Sequence, residues 1–564
     1  MTTQSYNLQW FVLALITAVA AVVAIPALNI YAQSTAPLAR TPGRPAGTYP
    51  LSDLDHVNLF AGNMSFSLPL LTVQGRGESR HVLSLTLETQ WDATYADNAG
   101  FSVYGLNAHT QVPVGFIGWM RSETTAQSQA ESCVTGSVLW VDHRFNFTFI
   151  EADGTEHMLG DPTYHGRPFQ RCGSATINYG RVFQSTAGQF MTFVSDQDVW
   201  SFGSATGYLH FKNGSKARIE ADRIMWVQDR NGNRVSYEYE SSNPFNYPLV
   251  KKVTDSIGRQ VNIYYNVVEA SPYGLCDKIV YKGFEAEDRI IRISKDSLHN
   301  ALRTTQPSDS STVKNIGQLF PDEPNDMVII SNPTAAYDPE NVIKAVWLPN
   351  GQSYQFYYNV YGRLARVVVP TGGATEYDYE PSLLQGPGSP AAYVVNRLKE
   401  KRTYANGTTL SAKTSFAYAL TTDGFPQGSS GLVATVEQFD HLENRLTKTR
   451  HFFNGGPNGD WGYVVPWWNG REIKTESFAM DGSTVLRRVE MDWRQRTPSW
   501  CYNNPHLVNP CGGDPPNTAP TTNPFVLETK TTLVDANLVS KVSALKPDGS
   551  YGFDDYNNQT DLYE

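Results

Sequence analysis

The chain is poor in charge and in cysteine for its length. Asp, Glu, Lys and Arg together make up 18% of 564 residues, and the formal net charge is −10. The sequence contains no strong cluster of Lys and Arg. A net negative charge without such a cluster disfavours a nucleic-acid-binding surface. Five cysteines occur and none forms a Cys-x-x-Cys pair, so a zinc ribbon or a thioredoxin-type site has no support.

Familiar catalytic motifs are also missing. The sequence contains no His-Glu-x-x-His, no Gly-x-Ser-x-Gly and no Gly-x-x-x-x-Gly-Lys-Ser/Thr. We therefore expect a non-catalytic protein without a cofactor or a metal. Three alternatives stay open. They are a metal site at His143, His157 and His165, a calcium loop from Asp229 to Glu240, and a hydrolase using Asp196, Asp198 and Asp222.

What the chain does have is aromatic residues and turn formers. Aromatic residues reach 12%, led by 30 Tyr and 26 Phe, and there are 44 Gly and 33 Pro. Aromatic and β-branched runs broken by Gly, Pro and Asn are typical of strands joined by tight turns. Helical periodicity is almost absent. The composition predicts an all-β fold.

A turn-and-strand unit recurs along the chain. Asp229, Gly232 and Tyr239 align with Asp255, Gly258 and Tyr265 at a constant offset and without a gap, and they are joined by alternating strand sequence. In each copy Asp opens a turn by binding its own backbone, and Gly supplies a positive φ. Repetition of one supersecondary unit indicates stacked β-hairpins, which need neighbours to bury a continuous face.

One stretch carries a family resemblance. From Gly362 the sequence reads Gly-Arg-Leu, then Pro-x-Gly, then Tyr377-Asp378-Tyr379, and residues 57–70 form an alternating opening segment. Both resemble the Rhs and teneurin-like families, whose units are named YD repeats. The resemblance implies β-hairpins winding into a spiral sheet or shell with a hollow interior. It also implies export and, in many members, a C-terminal toxic domain released by self-cleavage, although the Asp-Pro-x-Gly pair used for that cleavage is absent here.

The chain divides into four predicted parts. Residues 1–32 are a signal peptide or a membrane anchor, because residues 8–28 are almost continuously apolar. Residues 33–50 form a Pro/Gly-rich linker, residues 51–209 an N-terminal β domain, and residues 210–564 the YD-repeat β region. Loops are inserted near residues 381–390 and 498–524. These features predict an exported protein, at the cell surface or in the medium.

An aromatic cluster is the candidate ligand surface. It comprises Trp461, Tyr463, Trp467, Trp468 and Trp493, next to carboxylate and amide side chains. Such a surface suits the apolar face and polar rim of a sugar, while core packing is the alternative. In an exported chain the cysteines also allow two disulfides, Cys501 with Cys511 and Cys133 with Cys172, or reduced buried thiols.

The expected function is therefore that of a scaffold. We predict an exported YD-repeat protein with a non-catalytic binding or adhesion role, in which cell-surface glycans are a plausible partner. The alternative is the N-terminal part of a shell that encloses a C-terminal cargo domain of a polymorphic toxin.

Overall fold

The structure is a computed structural model of the chain. It describes residues 48–77, 80–98, 101–112, 115–124, 130–132, 138–142, 145–151, 156–160, 169–170, 180–185, 190–199, 203–240, 249–306, 311–319, 328–329, 336–385, 392–425, 430–455, 468–494, 524–553 and 559–563. The predicted signal peptide or anchor, most of the predicted linker and the loop near residues 498–524 lie outside these ranges. No helix among the described residues is long and apolar enough to cross a membrane.

Strands are the main element among the described residues and helices are very short, which confirms the predicted all-β class. The first thirteen strands are β1 Thr48–Pro50, β2 Asp55–Asn58, β3 Met64–Gln74, β4 Arg80–Asn98, β5 Phe101–Val112, β6 Gly118–Thr124, β7 Ala130–Ser132, β8 Val138–Asp142, β9 Phe145–Glu151, β10 Glu156–Gly160, β11 Phe169–Gln170, β12 Val182–Ser185 and β13 Thr192–Ser195.

The remaining strands follow in the repeat region. They are β14 Gly207–His210, β15 Lys216–Glu220, β16 Arg223–Gln228, β17 Arg234–Tyr239, β18 Val250–Thr254, β19 Gln260–Glu269, β20 Gly274–Lys282, β21 Asp288–Asp296, β22 Val328–Ile329, β23 Val342–Trp347, β24 Ser353–Tyr358, β25 Leu364–Val368, β26 Ala374–Gln385, β27 Ala392–Tyr404, β28 Leu410–Thr421, β29 Gly431–Phe439, β30 Arg445–Asn454, β31 Glu472–Phe478, β32 Val485–Arg494, β33 Phe525–Leu533 and β34 Leu538–Ser543. The short helices are α1 Ile316–Leu319 and the 3₁₀ turns Phe284–Ala286 and Leu298–Asn300.

The described strands form three sheets. Strands β1, β2, β3, β4, β5 and β22 form one sheet, and β7, β8 and β11 form another. The third sheet has 25 strands and curls into a barrel-like shell. From β12 onward its strands pair antiparallel with their neighbours in sequence, apart from β22, so the sheet is one long meander that we call the ribbon.

The start of the ribbon closes into a ring. Strand β6 pairs with β9, β9 with β10, and β10 with β12, and the meander then runs to β16. Strand β16 meets β6 again at the bridge Arg223↔Trp119, and the amide of Met120 donates to the carbonyl of Asp222 at 2.9 Å. Eight strands therefore form a ring, from which β17 to β34 continue away in one direction.

Tight turns lie at one rim of the ribbon, here called the turn rim. Successive hairpins turn there at residues 229–233, 255–259, 348–352, 369–373, 405–409, 440–444 and 479–484. The opposite rim carries the long connections, including residues 297–341 between β21 and β23. Alternate connections of a meander fall at opposite ends of its strands, so the long connections share one rim, which also carries the regular turn at residues 359–363.

One apolar cluster joins the opening segment to the ribbon. Leu59, Phe66 and Leu85 from the first sheet belong to the same buried cluster as Phe356 and Val436 from the ribbon. The Phe66 and Phe356 rings meet edge-on with centroids 5.8 Å apart. The hairpin of β3 and β4 thus covers one face of the ribbon, and we call that face the inner face.

Candidate functional site

Each repeat aspartate lies at the start of its turn and binds the backbone of that turn. Asp229 is buried, and its Oδ1 accepts hydrogen bonds from the amides of Asn231 and Asn233, both at 2.9 Å. Asp255 does the same for the amides of Ile257 and Arg259, both at 3.0 Å. Gly232 and Gly258 have φ values of +90° and +86°, as the repeat predicted. A short acceptor side chain and a left-handed residue are what this turn requires.

The repeat tyrosines form a regular set of hydrogen bonds. The hydroxyls of Tyr239, Tyr265, Tyr358 and Tyr379 each donate to a backbone carbonyl 15 residues earlier, at 2.6–2.8 Å. The acceptors are Ile224, Val250, Ile343 and Leu364. Each tyrosine also lies at a β-bulge. The bulge redirects the tyrosine ring relative to the regular alternation of side chains between the two faces of the strand. We call each such bond a tyrosine rung.

The Tyr-Asp pair for which the repeat is named lies beside a buried ionic network. Arg303 is 3% exposed and donates to Asp378 Oδ1 at 2.6 Å, while Arg402 also donates to Asp378. Glu376 is 1% exposed and accepts from Arg366, from Arg402 at 3.3 Å and from Gln306 at 2.7 Å. Burial raises the pKa of Glu376, but the hydrogen bonds from Arg366 and Gln306 outweigh it and leave that pKa below its usual range.

A second buried contact fastens the opening segment to this network. Asp55 is 2% exposed and accepts from the Tyr377 hydroxyl at 2.6 Å and from Lys401 Nζ at 2.7–2.9 Å. Burial, followed by the Asp55 charge and hydrogen bond, raises the pKa of Tyr377 well above its usual range. The hydroxyl therefore stays protonated and donating. We call Asp55, Tyr377 and Lys401 the inner latch.

Beyond the latch the inner face changes character. Val436 and Ala434 belong to the buried cluster, and strand pairing continues their rows across β30 to β34. In these rows half-buried hydroxyl side chains alternate with apolar ones such as Val489 and Val542, and His451 and the exposed Arg487 lie in the same rows. We call the set the hydroxyl wall, and its members are Thr449, Thr475, Ser477, Thr529, Thr531 and Ser540.

The outer face of the same strands is charged. Arg488 pairs with Glu476 at 3.0 Å, Lys530 with Glu490 at 3.3 Å, and Lys541 with Glu528 at 2.6 Å. Each of these residues alternates along its strand with members of the inner rows. The ribbon thus turns these ion pairs toward solvent, whereas mostly hydroxyl and apolar side chains lie in its inner rows, with the His451–Glu472 contact at 2.7 Å among them.

The predicted aromatic cluster is only partly described. Trp461, Tyr463 and Trp467 lie outside the described residues. Trp468 is 38% exposed, and Trp493 donates its Nε1–H to the Glu472 carbonyl at 2.8 Å. Arg471 stacks over the Trp493 ring at 4.7 Å, and burial lowers the Arg471 pKa to about 9. One face of Trp493 is therefore already occupied by the protein.

The other candidate residues have structural partners. Arg218 donates to both Asp196 oxygens at 2.9 and 2.7 Å, and Arg181 donates to Asp198 at 2.8 Å. Asp222 accepts from the Ala205 amide at 2.6 Å. Within the described ranges, no group of three or more His, Cys, Asp and Glu side chains is arranged to hold a metal ion.

The cysteine predictions are mostly untested. Cys133, Cys172, Cys501 and Cys511 lie outside the described residues, so both predicted disulfides stay predictions. Cys276 is described as a buried free thiol, and burial raises its pKa.

Sequence reasoning missed the inner latch and the hydroxyl wall. Asp55 and Lys401 are separated by 346 positions, and no local pattern connects them. The sequence does contain one signal of the hydroxyl wall. The Thr-x-Thr alternation in β33 places Thr529 and Thr531 on one face of that strand.

Comparisons with known proteins give little further assignment. No family model matches the chain, and no curated protein matches it. The chain is similar to a solved structure of TcdB2–TccC3 at 10% identity with a TM-score of 0.11, covering 88% of this chain and 34% of the other. It is also similar to the Photorhabdus luminescens Tc holotoxin pore, at 8% identity with a TM-score of 0.14, covering 86% of this chain and 30% of the other. The chain thus spans about a third of these larger proteins, and its fold is defined here by its own strand pairing.

Proposed function

We propose that the ribbon is part of the wall of an Rhs-like shell that encloses a polypeptide cargo. The observation that carries the proposal is the division between the two faces. Ion pairs such as Arg488–Glu476 lie outside, and the hydroxyl wall lies inside. An inner surface on which hydroxyl and apolar side chains predominate offers hydrogen bonds with little fixed charge, which suits polypeptide of varied sequence. We include in the same proposal that the protein is exported and carries the enclosed cargo with it.

The inner latch supports the same arrangement. It anchors the opening segment against the inner face at β26 and β27, so one region of the interior is filled by the chain itself. The hydroxyl wall begins where that filling ends. The described residues give the predicted carbohydrate-binding role no comparable support, because Trp493 is engaged by Arg471 and Glu472.

The test is protease protection in the native assembly. The protein is purified from the cells that produce it and digested under native conditions, and the surviving peptides are identified by mass spectrometry. We expect protected peptides that come from outside residues 48–563 and become sensitive after denaturation. The matched variants are Thr531→Lys, on the hydroxyl wall, and Thr532→Lys, on the next residue and the opposite face.

The two variants separate the wall from general stability. Thr531→Lys places a charge inside the shell, and we expect it to reduce the protected peptides several-fold. Thr532→Lys should leave them unchanged. If the unsubstituted assembly yields no protected peptide from outside residues 48–563, the proposed function is contradicted. If Thr531→Lys and Thr532→Lys reduce the protected peptides equally, the role of the hydroxyl wall is contradicted.

A further inference from the structure

A buried arginine of β27 has hydrogen-bond donors that the surrounding protein does not use. Arg397 is only 4% exposed. Its Nε and Nη2 atoms are buried, and neither has a hydrogen-bond partner among the described residues. Burial lowers the pKa of Arg397, while the nearby charge of Glu380 acts in the opposite sense. Buried polar atoms nearly always have a partner, and a buried charge without one is costly, so these two donors need an explanation.

Other buried arginines of the ribbon show the contrast. Arg303 is buried to a similar degree and donates to Asp378 Oδ1 at 2.6 Å, and Arg402 donates to Asp378 Oδ2 at 2.5 Å. Glu380 pairs with Arg397 across β26 and β27, but its carboxylate accepts from neither unpartnered nitrogen. The ribbon therefore supplies a carboxylate to Arg303 and Arg402 and leaves Arg397 without one at Nε and Nη2.

The two unpartnered nitrogens form one edge of the Arg397 guanidinium. The N–H groups of Nε and Nη2 on this edge are nearly parallel, and their spacing matches the two oxygens of a carboxylate. The flat face of the guanidinium is already engaged, because it lies over the Tyr418 ring at 5.1 Å from the centroid. The edge is thus the part of the side chain that can receive a ligand.

The opening segment fixes the stem of the same side chain. A Cβ on Gly62 would lie 2.5 Å from Arg397 Cγ, so the two residues are in close contact. The Leu398 amide also donates to the Gly62 carbonyl at 2.8 Å. With its stem against Gly62 and its face against Tyr418, the guanidinium is held in one orientation before any ligand binds, which favours binding.

The Tyr418 hydroxyl is a second unused donor beside Arg397. Its oxygen is buried without a partner among the described residues, and burial raises its pKa, so the hydroxyl stays protonated. Tyr418 pairs with Ala434, and strand pairing continues that row through His451 to Thr475 of the hydroxyl wall. The side chain of Tyr418 is only half-buried. The two donors therefore lie where the opening segment ends and the wall begins, and a small group can approach them from the inner face.

We propose that Arg397 and Tyr418 bind a carboxylate group. Arg397 Nε and Nη2 donate to its two oxygens, and the Tyr418 hydroxyl donates to one of them. A single guanidinium with the acidic Glu380 paired to it favours a planar group of one negative charge over a phosphate dianion. The carboxylate comes from a small free acid or from the terminus of a polypeptide. The inference goes beyond the enclosing role and does not depend on it.

Isothermal titration of the purified full chain with sodium acetate at pH 7 tests the site, with sodium chloride at equal ionic strength as the reference. We expect saturable binding with a Kd of about 1–10 mM, as suits one small anion held by three hydrogen bonds. By linkage, about 50 mM acetate should then reduce the ratio of unfolded to folded chain about 6–50-fold in denaturant unfolding.

Three variants separate the site from general effects of the anion. Arg397→Lys keeps the charge without the paired donors, and we expect acetate affinity to fall at least ~10-fold. Tyr418→Phe removes only the hydroxyl and should weaken acetate binding several-fold. Arg494→Lys is the control, because Arg494 is exposed and pairs with Asp492 at 3.0 Å, and it should bind acetate like the unsubstituted chain. Far-ultraviolet circular dichroism establishes that each variant keeps the fold.

Two further probes identify the source of the carboxylate. They are N-acetyl-triglycine and its C-terminal amide. Tighter binding of the peptide acid than of acetate, with no binding of the amide, assigns the site to a polypeptide terminus, whereas acetate binding at least as tight assigns it to a small free acid. The proposal is overturned if neither acid binds saturably up to ~100 mM, if phosphate binds as tightly as acetate, or if Arg397→Lys and Tyr418→Phe both bind acetate like the control.

Discussion

At the scale of single residues, the tyrosine rungs are the most regular contacts in the ribbon. Tyr358 is buried and donates to the Ile343 carbonyl at 2.6 Å. Tyr357, the preceding residue, donates to the exposed Gln355 side chain at 2.9 Å. The two hydroxyls therefore have the same chemistry in different surroundings.

The pair gives a direct measure of one rung. Tyr358→Phe leaves the Ile343 carbonyl without this donor in a buried position, and we expect it to lower the free energy of unfolding by about 1–3 kcal/mol. Tyr357→Phe should change it by less than about 0.5 kcal/mol, since water replaces an exposed partner. Denaturant unfolding measures both. Equal losses of unfolding free energy in the two variants would show that the buried hydrogen bond stabilises the protein no more than the exposed one.

The Asp255 turn is expected to make the stability of the protein depend on pH. Burial raises its pKa, but the hydrogen bonds from the Arg259 side chain and from the Ile257 and Arg259 amides outweigh burial and leave the pKa below its usual value. A carboxylate with a lowered folded-state pKa contributes stability above its unfolded pKa of about 4, and this contribution is lost as pH falls through the folded pKa.

Asp255→Asn should therefore flatten the acid limb of the stability curve. The amide oxygen still accepts the turn hydrogen bonds, but it does not titrate. We expect a smaller loss of unfolding free energy between pH 5 and pH 2 than in the unsubstituted chain. Asp288→Asn is the control, because Asp288 forms an exposed ion pair with Lys282 at 2.8 Å. If both variants flatten the curve equally, the turn is not the source of the effect.

At the scale of elements, the space around two turn glycines shows which hairpins pack against one another. Gly232 has φ +90°, and a Cβ there would meet nothing within 4 Å. Gly77 has φ +75°, and a Cβ there would lie 2.2 Å from Asp229 Oδ2 and from Asn233 Nδ2. Both positions carry the backbone cost of a left-handed residue, but only Gly77 also separates two packed turns.

Alanine substitutions should separate those two effects. Gly232→Ala should cost about 1–2 kcal/mol from the left-handed backbone alone. Gly77→Ala should cost at least about 1 kcal/mol more, because the β3–β4 hairpin must move off the 229–233 turn. Thermal or denaturant unfolding measures the difference. A smaller loss at Gly77 would mean that this hairpin end is not seated on the turn.

Elements were predictable where their cause is local. The turns at Asp229 and Asp255 follow from short acceptor side chains and glycine, and the sequence predicts them directly. The bulges at Tyr239 and Tyr358 were not predictable, because a bulge is set by the pairing of two strands and not by either strand alone. The hydrogen bonds that the bulged tyrosines make across the sheet were missed for the same reason.

At the scale of the whole molecule, the inner latch joins the first strands to the middle of the ribbon. Asp55→Ala leaves Lys401 and Tyr377 buried without their shared acceptor, and we expect a loss of about 3–5 kcal/mol in unfolding free energy. Hydrogen exchange should rise in residues 55–74 and in β26 and β27. Asp53→Ala, two residues away and exposed, is the control. Faster exchange confined to residues 48–60 would show that the latch does not support the ribbon.

The architecture of the molecule was predictable only in class. Composition and the YD-like repeat predicted an all-β ribbon, and the described strands confirm that class. The placement of the opening segment on the inner face depends on Asp55 meeting Tyr377 across 322 positions, which local sequence patterns do not encode. The candidate sugar site was predicted from aromatic residues close in sequence to carboxylate and amide side chains, and the sequence does not show that Arg471 covers Trp493.

The constant spacing of the tyrosine rungs bears on how the chain is made. Every rung joins a residue to one that left the ribosome 15 positions earlier, so each unit finds its hydrogen-bond acceptor already present. A chain emerging slowly through a narrow channel can therefore wind up from its first rung onward, without waiting for its far end. The inner latch must wait, because Asp55 is made more than 300 positions before Tyr377 and Lys401, and the same holds for the contact of Phe66 with Phe356.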